Sequence, residues 1–365
     1  MNNAKRANST IMAALRAAYS SKLLLNSIFN LRLKGGDDVP RVFYGGARSG
    51  NLGGPLVKVQ RLKQFYPEYK WNYNLVYCLS NAPYLPDAAL DILRIRGIPI
   101  VHNQNGLFYR AWYEGDWMRQ NARMARTYHQ ARHVFWQSEF CRRSADKLLG
   151  SRIGSGEVLY NAVDTEHFRP IGRIPNAKTT LLLTGKIDDH MYYRVDSTLR
   201  GLATAVNHGF DGVLNIAGWI APLVRSRSDT LAAELGIVQR VKYLGPYTQN
   251  DAPRIYSDAD IYIMTKHNDP CPNAVLEAMA CGLPVVHSIS GGVPELVANT
   301  GAGVIVPEDF ERIHVPAPNA LSDAIMFAAA NQGELSVQAR RRAVECFDIS
   351  KWINRHSELF ISLLK

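Results

Sequence analysis

From Arg41 onward, short apolar runs alternate with longer amphipathic stretches, a pattern that implies βαβ units and parallel sheets. In the first half the strand candidates are Val42–Tyr44, Leu75–Cys78, Ile98–Val101, His133–Trp136 and Glu157–Tyr160, with helices expected near 55–66, 86–95, 114–131 and 138–149. Arg169-Pro-Ile-Gly-Arg-Ile-Pro-Asn-Ala, with its two prolines, reads as a linker. A second series follows, with strands near 179–184, 213–217, 241–244, 260–264, 284–287 and 303–306. Its helices are expected near 195–207, 228–236, 252–258, 273–281, 294–299 and 320–330, and a last amphipathic helix spans 349–364. No solenoid period repeats. The pattern predicts an α/β protein of two doubly wound, Rossmann-like domains with a cleft between them, residues 39–170 and 171–349, behind an extension over residues 1–38.

A chain of 365 residues is long for one hydrophobic core and comfortable for two. Apolar residues at 47% and charged residues at 20% describe a globular chain rather than a disordered one. No run reaches the ~18 apolar residues of a membrane span, and no cleavable leader is evident. The five cysteines are scattered without a C-x-x-C pair, which fits a reduced, cytoplasmic compartment and gives no spacing for a zinc site.

The net charge of +10 looks at first like a nucleic-acid signal, but its distribution excludes that class. Residues 1–36 hold six bases (Lys5, Arg6, Arg16, Lys22, Arg32, Lys34) and no acid, leaving +4 for the rest. A helix over 10–33 mixes these bases with Leu15, Tyr19, Leu23, Leu24 and Ile28. Two readings compete for it: a surface helix on anionic lipid, or a helix packed on the protein or on a partner with its charges solvated.

The candidate chemistry gathers at strand-to-helix turns. Gly45-Gly-Ala-Arg-Ser-Gly-Asn-Leu-Gly-Gly54-Pro-Leu-Val-Lys58 follows the first strand and opens a helix. Glycines at 53 and 54 let backbone approach an anion, although the spacing matches neither G-x-G-x-x-G nor a P-loop. In the second half, Asp269 stands eight positions before Glu277, with a helix start between them at Asn273, Ala274 and Val275. A buried strand, the pair Gly291-Gly292 and a second helix near Pro294 follow. Two helix N-termini at the ends of neighbouring strands would offer unpaired N–H groups to a diphosphate. Leu182-Leu-Thr-Gly185-Lys186 ends another strand, with Arg194 eight residues on, and His102-Asn-Gln-Asn105-Gly106 caps a third.

The 269–297 block resembles the nucleotide-sugar site of retaining GT-B glycosyltransferases of family 4, and the likeness extends over roughly 41–364. Gly53 and Gly54 match the family's glycine pair. Lys186 and Arg194 stand where the family has an arginine and then a lysine, with the two types exchanged. Asp269 replaces the more usual glutamate, and Pro272 the usual glycine. Asn105 falls on the family's polar residue near the anomeric centre, with His102 three residues earlier as either a second lining group or a structural histidine.

The resemblance implies transfer of a hexose-type sugar from a UDP- or GDP-sugar to an acceptor hydroxyl with retention. It implies no metal and no other cofactor, a saccharide or lipid-linked acceptor, and a place in polysaccharide or glycolipid synthesis. It also implies that residues 350–365 cross back to complete the first domain. A nucleotide-sugar epimerase and a non-catalytic nucleotide-sugar binding protein remain alternatives on the same fold. Tyr109, Trp112, Tyr113 and Trp117 either stack on an acceptor sugar, lie against a membrane or pack in the core.

Overall fold

The computed structural model describes residues 2–30, 39–47, 50, 54–80, 85–172 and 178–365. After α1 (Asn2–Ile28), the first domain runs β1 (Val42–Phe43), α2 (Gly54–Phe65), β2 (Leu75–Leu79), α3 (Asp87–Ile95), β3 (Ile100–Gln104), α4 (Trp117–Gln130), β4 (His133–Trp136), α5 (Glu139–Leu149) and β5 (Ser155–Val158). The strands pair in parallel in the order β1-β2-β3-β4-β5. The second domain runs β6 (Thr179–Thr184), α6 (Tyr192–Asn207), β7 (Gly212–Ala217), α7 (Pro222–Glu234), β8 (Val241–Gly245), α8 (Ala252–Ser257) and β9 (Ile261–Met264). It continues through α9 (Asn273–Ala280), β10 (Val285–Ile289), α10 (Val293–Val297), β11 (Gly301–Ile305), α11 (Pro318–Ala330) and α12 (Gln332–Cys346). Its six strands are parallel in the order β11-β10-β9-β6-β7-β8. Both domains are therefore α/β layers, parallel sheets with helices on both faces, and the strand order reverses in the second.

Alternate residues of each strand feed opposite faces. On the first sheet, Phe43, Val76 and Val134 pack under α3, α4 and α5 through Leu90, Leu93, Met124 and Ala145. Val42, Leu75, Tyr77 and Phe135 point the other way, where α2 supplies Val59 and Leu62. The remainder of that second face is covered by α13 (Ile349–Leu364), the last element of the chain, through Trp352, Ile353, Leu359 and Phe360. His356, fully buried on α13, donates from Nδ1 to the Trp352 carbonyl at 2.8 Å and accepts from Tyr77 Oη at Nε2, 3.1 Å away. Arg355 clamps Glu157 from the same helix.

Five local features differ from the sequence expectation, the first being that α1 starts at Asn2 rather than near residue 10. β3 extends to Gln104, three residues beyond the expected end at Val101, and β5 ends at Val158 rather than Tyr160. α7 starts at Pro222, where proline suits the first helical turn. α12 was not anticipated because its buried stripe, Leu335, Ala339 and Ala343, is narrow and made of small residues in a polar helix.

For α1, the packed reading holds over its C-terminal part. Leu23 enters the first core, and the Asn30 side chain exchanges hydrogen bonds with the Tyr73 backbone. Arg96 donates to the carbonyls of Ser27, Ile28 and Asn30. Residues 31–38, including Arg32 and Lys34, lie outside the described residues.

Burial pushes the His356 imidazole down to about 3, from an ordinary 6.5. The unfolded chain therefore takes up a proton below pH 6.5 that the folded chain refuses. Stability is present in full above that pH and is lost as pH falls, by at most about 1.4 kcal/mol per unit for this residue. Replacing His356 with Gln keeps a donor and an acceptor and removes the titration. Its urea unfolding free energy should decline less steeply between pH 6.5 and 4 than that of the wild type.

Candidate active site

The second sheet changes winding direction between β6 and β9, and the crevice outside the carboxyl ends of such strands is where doubly wound sheets hold ligands. A cavity of about 630 Å³ opens there, walled on the other side by the first domain. After β6 the chain turns at Gly185, whose φ of +141° brings it over Arg194. A Cβ at Gly185 would lie 3.1 Å from the Arg194 guanidinium. After β9, Asn268 takes the left-handed conformation at φ +52° and turns Asp269 into the crevice.

Lys186, Arg194, Asp269, Glu277, Asn105, Gly185, Asn273 and Ala274 all line this cavity. Lys186 is exposed, its Nζ 5.3 Å from the centre of the Trp219 ring. Arg194 is buried, donates to the Thr184 carbonyl at 3.0 Å, and leaves its Nε without a partner. Asn273 and Ala274 open α9, so their N–H groups have no intrahelical acceptor. Asp269 is held twice, by Lys266 Nζ on Oδ2 at 2.7 Å and by the Cys271 N–H on Oδ1 at 3.2 Å.

Glu277 is buried and accepts from Tyr256 Oη at 3.1 Å. Burial raises its carboxyl above the usual range, opposed by the Arg61 cation and by hydrogen bonds from Tyr256 and Gln249. Two cations, a free helix start and a shielded carboxylate thus converge on one crevice. Such a set can bind a diphosphate beside a polyhydroxyl group.

Other candidate residues are not brought together there. Because β3 continues to Gln104, His102 sits inside the sheet rather than in the loop, buried under α4. It donates from Nε2 to Gln104 Oε1 at 2.9 Å and meets Tyr128 edge to face, and burial holds it at about 4, so it is neutral at pH 7. Val275 is fully buried, and its N–H is already given to the Pro272 carbonyl at 3.1 Å. Gly291 and Gly292 pack on the backbone of 268–270, and the Gly292 N–H is spent on the Asp269 carbonyl at 2.9 Å. Gly53 lies outside the described residues, and Gly54 is the first residue of α2, a helix that reaches the cavity through Val57.

Sequence reading missed the other wall. Lys58 on α2 is buried, with Nζ donating to Asn103 Oδ1 at 2.7 Å and Asn105 Oδ1 at 3.3 Å. The Gln137 amide oxygen, in the orientation that satisfies its neighbours, accepts from the same Nζ at 2.7 Å. One turn on, Arg61 donates to the Ala162 carbonyl and faces Glu277. Lys266, Gln249 and Tyr256 complete the set on the second domain. Lys58 closes the glycine-rich stretch and Lys266 stands three residues before Asp269, whereas Arg61, Gln249 and Tyr256 carried no signal in the sequence.

Burial pushes the Lys58 ammonium down to about 7, from 10.5. Between those values the unfolded chain holds a proton that the folded chain has released. Stability from this group therefore rises with pH across the window, by at most about 1.4 kcal/mol per unit. The Lys58→Met variant lacks that slope. The difference in unfolding free energy between wild type and variant, measured from pH 7.5 to 9.5, should move in favour of the wild type as pH rises.

Two facing α/β domains, with a closing helix returned to the first, have the GT-B fold. Solved structures share it: a glycosyltransferase from Rickettsia africae at TM-score 0.64 and 16% identity, covering 87% of this chain and 84% of that one, and sucrose-phosphate synthase from Thermosynechococcus elongatus at 0.63 and 20%, covering 84% and 77%. Anabaena Alr3699/HepE, solved in complex with UDP-glucose, matches at 0.60 and 18%, covering 86% and 85%.

The family model for glycosyl transferases group 1 matches residues 178–330, most of the second domain. D-inositol 3-phosphate glycosyltransferases are similar in sequence: that of Salinispora tropica is 42% identical over 76 residues, 21% of this chain and 16% of that protein. The one from Mycobacterium sp. (strain KMS) is 38% identical over 162 residues, 41% and 35%. The chain thus matches only about a sixth to a third of the length of these curated relatives.

Proposed function

We propose that this chain transfers a hexose-type sugar from a nucleotide diphosphate donor to an acceptor hydroxyl, with retained anomeric configuration. The observation that carries this reading is the convergence of Lys186, Arg194, the α9 N-terminus and Glu277 on one interdomain cavity. The diphosphate would sit on the Asn273 and Ala274 N–H groups, between the two cations. These fixed donors would stabilise charge on the departing nucleoside diphosphate without reorganising. Glu277, part of a helix wall and already accepting from Tyr256, would take the ribose diol. Asp269, held by Lys266, would face the sugar.

With Asn105 and the aromatic segment Phe108, Tyr109 and Trp112 on the opposite wall, catalysis is mainly positioning of acceptor and donor in one closed cleft. No protein nucleophile is nominated, so a front-face displacement assisted by the leaving phosphate is the route. The two cations take the place of a metal, and activity should survive EDTA. A saccharide or lipid-linked acceptor fits a cavity wall that is aromatic on the first-domain side.

The UDP-glucose held by the Anabaena neighbour makes a UDP-sugar the first donor to test, in a panel with GDP- and ADP-sugars scored for binding and slow donor hydrolysis. At least one should bind at micromolar to millimolar concentration, and a folded protein that binds none refutes the reading. Arg194→Ala and Glu277→Ala should each weaken donor binding by about tenfold or more, the scale of one lost charge-assisted contact.

A peripheral contact with the inner face of a membrane is part of this reading. Among the described residues no helix is long and apolar enough to cross a bilayer. α1 and the residue that follows it do present Leu15, Leu25 and Phe29 to solvent beside the exposed bases Arg16 and Lys22. Because α1 also fills the core with Leu23, deleting it would damage the fold. The sharper test is R16E/K22E with F29S, which should abolish sedimentation with anionic liposomes while leaving thermal stability in place.

A further inference from the structure

α5 begins against the other domain. Its own N-cap is Ser138, which accepts from the Cys141 N–H at 3.0 Å. Its first two N–H groups go elsewhere: Glu139 donates to Glu295 Oε2 and Phe140 to Glu295 Oε1, each at 2.7 Å. Tyr160, just after β5, adds its hydroxyl to Oε2 at 3.4 Å. Glu295 belongs to α10 in the second domain, so one carboxylate joins the two domains through both of its oxygens.

The surroundings fix its approach. Arg342 on α12 holds the carbonyls of Glu295 and Leu296 at 2.8 and 2.6 Å, anchoring α10 from behind. Gly292 lies so close that a Cβ there would meet Ser138 at 2.7 Å and the Pro270 carbonyl at 2.0 Å. The glycine at 292 thus serves contact between domains. Phe140 is held a second time, because its ring stacks on Phe310 of the second domain at 6.1 Å. Phe310 also meets Tyr109 edge to face at 5.1 Å and accepts the Ala111 N–H at its carbonyl, 2.9 Å away. Phe140 and Phe310 both line the cavity.

We propose that Glu295 is a positioning residue, a clasp that grips the N-terminus of α5 and sets the width of the cleft. A carboxylate accepting two N–H groups at a helix start is charge-assisted and aligned with the helix dipole. It lies away from the reacting groups, so it acts through the opposition of Asn105 and Gln137 to Arg194, Glu277 and Asp269. The catalytic half of this role rests on the transfer reading above, whereas the mechanical half does not.

The test separates the two halves. Spin or fluorescent labels are placed through Met118→Cys and Val238→Cys, both exposed and in opposite domains, in a Cys346→Ser background that removes the exposed native thiol. Wild type should give one narrow interdomain distance distribution, Glu295→Ala a longer and broader one, and the isosteric Glu295→Gln, which keeps one acceptor oxygen, an intermediate one. On the donor found by the panel, Glu295→Ala should lower kcat by about tenfold with less than about a threefold change in donor KM, and Gln should recover part of the loss. Unchanged distances in both variants overturn the clasp. Changed distances with unchanged kcat overturn its role in positioning. If wild type binds no sugar nucleotide, the transfer reading fails while the distances still decide the clasp.

Discussion

The burial of α13 on the first sheet is the contact on which the remainder of the molecule depends. Trp352, Ile353, Leu359 and Phe360 cover a face that α2 alone leaves open, and His356 and Arg355 fix the helix there by hydrogen bonds to Tyr77 and Glu157. A parallel sheet needs both faces covered, because its strands are apolar on both sides. The first domain therefore cannot close its core until the second has been made and the chain has returned. That return brings the carboxyl ends of two sheets face to face, and the crevice between them follows.

Within the crevice, charge is handled by division between the walls. The second domain supplies Lys186, Arg194 and the start of α9, all suited to an anion, with Arg194 stacked under a glycine that permits the approach. The first domain supplies amides tied to a buried ammonium, Lys58, whose ligands are neutral. Among the described residues it forms no ion pair with a carboxylate. A lysine kept in such a place is held near its neutral form, and so it orders Asn103, Asn105 and Gln137 without adding a full charge to the wall they form.

Much of the fold was legible in the sequence because parallel strands are continuous apolar runs separated by turn residues, and both sheets were read in that way. The site was legible where it depends on spacing along one turn: Asp269, Asn273, Ala274 and Glu277, or Gly185 and Lys186. It was not legible where it depends on the end of a strand. Three extra residues in β3 turn His102 from a loop residue into a core one. Nor was it legible where two glycines can serve different ends, since Gly291 and Gly292 look like a phosphate turn, whereas Gly291 packs on the backbone of Asn268 and Asp269 and Gly292 admits Ser138 of the neighbouring domain. Nothing in the spacing of Lys58 and Arg61 marks them as buried. Only the assembled sheets show that their side of α2 is buried against the cleft floor.

The passage of the chain between domains has a mechanical side. The outgoing strand at Val163 and the returning one at Asp348 pair with each other, Val163 donating to the Phe347 carbonyl at 2.9 Å and Ile349 to the Val163 carbonyl at 3.0 Å. Thr165 and Asp348 add a side-chain bond. Two crossings bonded side by side act as a hinge with two leaves, whereas a single tether would act as a swivel. Rotation that opens and shuts the crevice is the easy motion, and twisting or sliding one domain across the other would have to tear the crossings apart. A single backbone cut at the outgoing crossing would leave the two halves joined.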